Sequence, residues 1–138
     1  MEKDIMTDEL LARFFKDLLE EGVVPQPPPL HEYLRQLCQS RGETAERVIE
    51  RAGIDRAVGD QLFSGRRKPS RDRVIQLAFG FGLDVEETQQ LLKIARHTFL
   101  YPKIKRDAAI IYCLARNMGL AETQNVLADF DLQTLSME

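Results

Sequence analysis

The sequence predicts an all-helical protein, and three observations carry that prediction. Apolar residues recur at intervals of three and four in one segment after another, the spacing that collects them on a single helix face. Glycine stands where several of these segments would end, at Gly22, Gly42, Gly53 and Gly65, ready for the left-handed conformation that closes a helix. Residues able to cap free N–H groups stand where others would begin: Thr44, Asp55, Ser70 and Asp84.

Each element follows from these signals. Residues 6–21 place Leu10, Leu11, Phe14, Phe15, Leu18 and Leu19 at helical spacing, with Gly22 as the stop. Residues 23–29 contain four prolines, whose fixed φ and missing N–H exclude helix and favour an extended linker. Leu30, Tyr33, Leu34, Leu37 and Cys38 define a helix over 30–41, ended by Gly42. Two short helices follow at 44–52 and 55–64, the first capped by Thr44 and stopped by Gly53, the second capped by Asp55 and stopped by Gly65. Ser70 caps a helix over 71–81, and Asp84 with Glu87 forms a capping-box pattern for 85–95. After a break over 96–102, helices are expected at 103–118 and 120–129 as a hairpin. The expected organisation is an N-terminal helix (1–22), a Pro-rich linker (23–29), a main domain (30–95) and a C-terminal helical extension (96–138). Arg71, Asp72, Glu87, Thr88, Gln89 and Leu92 recur 35 residues later as Arg106, Asp107, Glu122, Thr123, Gln124 and Leu127, the trace of a duplicated helix pair. Two copies fall short of the three or so units a solenoid needs.

Composition narrows the function classes. With 138 residues, 43% hydrophobic and 30% charged, the chain suits one main core with an appendage. Its apolar runs are a few residues long against the roughly 20 a membrane span needs, so a cytoplasmic protein with no membrane contact is expected. Cys38 and Cys113 fall inside apolar helical patterns and read as buried free thiols; His31 and His97 have no metal-ligand spacing. No glycine-rich phosphate loop, nucleophile elbow or Ser-His-Asp arrangement occurs, so neither enzymatic activity nor a cofactor is expected. The net charge of −3 conceals a gradient: residues 1–29 carry 3 basic and 7 acidic groups, residues 30–75 carry 10 and 7, and residues 108–138 carry 1 and 4. A basic middle lies between acidic ends.

The basic middle holds the most specific pattern. Two short helices joined by a glycine turn are what a helix-turn-helix requires, with Gly53 supplying the positive φ and Ile54 tucking into a core shared with Val48, Ile49, Ala52, Leu62 and Phe63. The run from Gly53 through Asp55, Leu62, Phe63 and Gly65 to the basic loop Arg66, Arg67, Lys68, Pro69 and Ser70 resembles lambda-repressor-like regulators of the xenobiotic-response-element type. The resemblance covers residues 30–95 and implies a five-helix DNA-binding domain, flanked here by the N-terminal helix and the C-terminal hairpin. It implies a sequence-specific transcriptional regulator that lays residues 55–64 in the major groove of duplex DNA as a homodimer, with the C-terminal helices as candidate dimerisation elements. Carried over to this sequence, its base-facing positions fall on Arg56, Ala57, Asp60, Gln61 and Ser64, and its phosphate-gripping positions on Thr44, Arg47, Arg66, Arg67, Lys68 and Ser70.

Three residues depart from the family's pattern: Ala45 where a glutamine usually stands, Ile49 where a small residue does, and Gly59 where an apolar core residue does. Gly59 lowers helix propensity by about 1 kcal/mol relative to alanine, and Asp55 and Asp60 would lie near a negatively charged backbone. The alternative reading is a protein-interaction adaptor that keeps the scaffold without specific DNA binding and offers a protein partner its N-terminal helix. Phe79, Phe81, Phe99 and Tyr101 are expected to close the core. Arg96, His97, Lys103, Lys105 and Arg106 are expected to decorate a connection.

Overall fold

The computed structural model describes residues 7–22 and 27–136, and within them the chain forms eight α-helices and no strand. These are α1 (Asp8–Glu20), α2 (Leu30–Arg41), α3 (Ala45–Arg51), α4 (Arg56–Ser64), α5 (Arg71–Phe81), α6 (Val85–Ile94), α7 (Lys105–Ala115) and α8 (Leu120–Asp129). The expected start of the first helix at Met6 and the linker positions 23–26 lie outside the described residues.

The predicted caps at Thr44, Asp55, Ser70 and Asp84 close as their chemistry dictates, and Thr7 adds one at the start of α1. The hydroxyls of Thr7, Thr44 and Ser70 accept from the N–H of Leu10, Arg47 and Arg73, at 3.2, 3.2 and 3.3 Å. Asp55 accepts from Ala57 N–H, and Asp84 with Glu87 forms the full reciprocal box. Gly42, Gly65 and Gly82 take positive φ as left-handed caps of α2, α4 and α5.

Helix α5 is the axis of the molecule: every residue from Arg73 to Phe81 is buried. Helix α3 crosses it at Gly80, where an added Cβ would lie 2.5 Å from the Val48 carbonyl oxygen and 3.0 Å from the Ala52 Cβ. No larger residue permits so close a crossing. Arg51 Nε on Gly80 O (2.9 Å) and Gln76 Nε2 on Ala52 O (3.1 Å) tie the same two helices together. Leu34, Val48, Ile49, Leu62, Val74, Ile75, Leu77, Leu91 and Leu92 fill the core that α2 to α6 share.

The repeat seen in the sequence is a repeat of bonding. Gln89 makes two hydrogen bonds to the backbone of Leu100, and Gln124 makes the same two to Leu135. The Thr88 hydroxyl donates to Asp84 O and the Thr123 hydroxyl to Gly119 O. Glu122 accepts from Gly119 N–H as Glu87 does from Asp84 N–H, although glycine supplies no side chain for the other half of the box. Positive φ recurs at Gly82 and Asn117 and at Arg96 and Asp131.

The two pairs then exchange contacts. Arg71 donates to Thr98 O and Phe99 O in its own pair and, through both terminal nitrogens, to Asp107 in the other. Arg106 donates to Gln133 O and Thr134 O in its own pair and to Asp72 in the other. Tyr101 N–H donates to Asp107 and Ser136 N–H to Asp72. Such reciprocity is the signature of a twofold relation, here between two units of one chain.

Several expectations are corrected. Helix α7 is shorter than residues 103–118: Ile104 is extended ahead of its first turn, and Asn117 leaves helical space at φ 56° after its last. Phe79 and Phe81 are buried, but Phe99 and Tyr101 are exposed and stack on each other at 5.2 Å between ring centroids. Arg106 does not decorate a connection; it is one half of the clasp between the helix pairs. Cys113 is buried and Cys38 only half-buried, and desolvation raises the pKa of both thiols.

Candidate nucleic-acid interface

Helix α4 owes its orientation to the turn before it. Gly53 takes φ 66°, Ile54 N–H bonds Ile49 O at 3.2 Å, and Ile54 is buried beneath the turn. Gly59, Leu62 and Phe63 then face inward, while Arg56, Ala57, Asp60 and Ser64 are exposed and Gln61 is half-exposed. These five are the positions the resemblance assigns to base contacts, and their spacing puts them on one helix face.

Gly59 proves to be a packing residue. A Cβ there would lie 2.5 Å from Ile49 Cγ2, 2.6 Å from Cγ1 and 2.7 Å from Cδ1. Ile49 fills the volume that Gly59 vacates, so two of the three departures are one exchange of bulk between α3 and α4. The third, Ala45, opens α3 just after the Thr44 cap.

The basic residues gather at both ends of the face. Arg47 is exposed on α3, and Arg66, Arg67 and Lys68 are exposed in the loop after Gly65. His97 Nε2 lies 2.9 Å from Pro69 O, and since a carbonyl only accepts, the imidazole donates and pins that loop to the end of α6. Ser70 and Thr44 are both caps with exposed side chains.

Acidic groups temper this charge. Arg56 is held by Glu46 at 3.3 Å and by Asp60 at 3.3 Å, and Arg67 Nε donates to Gln61 Oε1 at 2.8 Å. The Glu46 contact, from one helix to the next, is invisible to sequence spacing. Arg56 is therefore pre-positioned over the face by two carboxylates that any base contact has to displace.

Among the described residues no group of three or more His, Cys, Asp or Glu side chains could hold a metal ion, and no helix is long and apolar enough to cross a membrane. A family model for a helix-turn-helix domain matches residues 30–91. No curated protein and no solved structure gives a significant match.

Proposed function

Residues 30–91 being a helix-turn-helix domain, we propose that the chain is a sequence-specific transcriptional regulator that binds duplex DNA with α4 in the major groove, as a homodimer. The observation that carries this reading is the match between fold and chemistry: the outward face of α4 is made of Arg56, Ala57, Asp60, Gln61 and Ser64, with Arg47, Arg66, Arg67 and Lys68 around it. Arg56 and Gln61 offer the paired groups that read guanine and adenine, and the loop arginines and lysine neutralise phosphates. Arg67 reaches a phosphate by releasing Gln61, which frees that amide for a base. One helix has a small footprint, and two half-sites one helical turn apart multiply its contacts. Regulation without catalysis, in the cytoplasm, follows from the same reading.

The test is duplex binding measured against rising salt, after selection of bound fragments from random sequence. Affinity should fall linearly on a log–log plot, and Arg66→Ala with Arg67→Ala should flatten the slope by about 2, close to one unit per lost phosphate contact. Arg56→Ala should alter the selected consensus at one position of each half-site. Absence of binding at low salt would overturn the reading and favour the adaptor.

A further inference from the structure

The twofold relation between the helix pairs assigns every surface of the second pair a counterpart on the first. On α5 and just before it the stripe Pro69, Arg73, Gln76, Leu77 and Gly80 is buried throughout. Over its C-terminal part the cover is α3, which meets it at Gly80 and holds Gln76 through Ala52 O, while His97 at the end of α6 holds Pro69. The counterpart on α7 and its N-cap, thirty-five residues on, is Ile104, Ala108, Ile111, Tyr112 and Ala115. Among the described residues it is less covered: Ala108 and Ile111 are half-buried, but Ile104 is 51% and Tyr112 47% exposed, and Ala115 is exposed beside them. Beyond its charged first turn α7 is therefore apolar on two sides, buried on one through Ile110, Cys113 and Leu114 and only partly covered on the other, where Ala108 and Ile111 are half-buried, and an apolar second face calls for a cover. The alanines at 108 and 115 stand where α5 has Arg73 and Gly80, and they permit a close approach to a second helix.

The same chain carries a helix whose apolar face is left exposed among the described residues. Helix α1 buries none of its residues, and Leu10, Leu11, Phe14, Phe15 and Leu19 are all exposed. Thirteen residues make a marginal helix in water, so α1 depends on a surface to pack against. Charge matches the two faces. Between residues 7 and 22 the chain has five acidic and two basic side chains, whereas the exposed charges within residues 103–116 are Lys103, Lys105 and Arg116, the last lying 3.6 Å over the Tyr112 ring, with Glu122 of α8 the acidic group near Cys113. The one acidic residue of α7, Asp107, is buried and held by Arg71.

We infer that the outer face of α7 is the docking site for α1 of a second copy of this chain, which takes on α7 the place that α3 takes on α5. Two such contacts, each α1 on the other copy's α7, close a twofold dimer that covers all four exposed faces. The inference deepens the dimer of the proposed function and leaves the DNA reading apart, because its test contains no DNA.

Sedimentation velocity on the full chain across a range of concentrations is expected to show a monomer–dimer equilibrium. Tyr112→Glu on one face and Phe15→Glu on the other should each weaken dimerisation by a factor of about 30 or more, as loss of a central apolar anchor does. Both residues are exposed, so the thermal transition of the monomer should be unchanged, which separates lost docking from lost folding. Mixing the two variants should restore a heterodimer, since one intact α1 then meets one intact α7. A wild-type chain that stays monomeric, whether α1 folds onto its own α7 or binds another protein, overturns the inference. So does a Tyr112→Glu chain that still dimerises while Phe15→Glu does not, which would mean that α1 pairs with α1.

Discussion

Gly59 and Ile49 show how two residues that look wrong singly are right together. By propensity alone Gly59→Ala gains about 1 kcal/mol, and by packing it forces a methyl group to within 2.5 Å of Ile49, the kind of overpacking that costs about 1–3 kcal/mol. Packing should win, and Gly59→Ala should lower stability in urea unfolding. Ile49→Val should give no rescue, because valine keeps both Cγ positions and removes only the Cδ1 atom 2.7 Å away. Ile49→Ala removes all three clashing atoms, so the double variant should be more stable than the sum of the singles predicts, by about 1–2 kcal/mol of coupling. Additive losses would mean that the two positions do not share one volume. Caps such as Thr44, Asp55 and Asp84 were legible because their partners lie two or three positions away. Gly59 was legible only as a propensity loss, its partner being ten positions back on another helix.

Among the elements, the two helix pairs test whether sequence symmetry is energetic symmetry. Their clasps have the same atoms but different burial: the Asp107 side chain is 4% exposed and that of Asp72 20%. Removing one partner of a buried pair strands the other charge, and the cost rises with burial. Arg71→Ala should therefore destabilise by about 3 kcal/mol and Arg106→Ala by distinctly less, in chemical unfolding, while Arg71→Ala with Asp107→Ala should recover part of the first loss. Equal losses would mean that burial does not set the cost of these clasps. The sequence showed the recurrence of Arg71 and Asp72 but not that each copy's arginine bonds the other copy's aspartate, because reciprocity is a property of docking. It also overextended α7 to Met118 on apolar pattern alone. Aligning the copies would have placed Asn117 on Gly82 and so marked the helix end, since asparagine is one of the few residues with a side chain that visits left-handed backbone routinely.

For the whole molecule, the all-helical class, the glycine turn and the outward face of α4 were legible, since each rests on local spacing. The neutralisation of Arg56 by Glu46 and the partly exposed outer face of α7 were not, since both depend on how separate helices meet. The same dependence makes acid a probe of the assembly. Partial burial works to raise the pKa of Asp72, but hydrogen bonds from Arg106 and Ser136 N–H, with the charges of Arg106 and Arg71, outweigh it and hold the carboxyl below its ordinary value. A carboxylate whose pKa is lower folded than unfolded contributes its full stability above the unfolded value, about 3.9, and loses it as pH falls through the folded one. That loss releases Ser136 and Arg106 together, and with them the contact of the second helix pair with the start of α5. Wild-type stability, followed by urea unfolding from pH 6 down to about pH 2, should thus drop below about pH 4. Asp72→Asn should be less stable at pH 6 and should lose less on acidification, so that the two curves converge. Parallel curves would place the acid sensitivity elsewhere than at the Asp72 clasp.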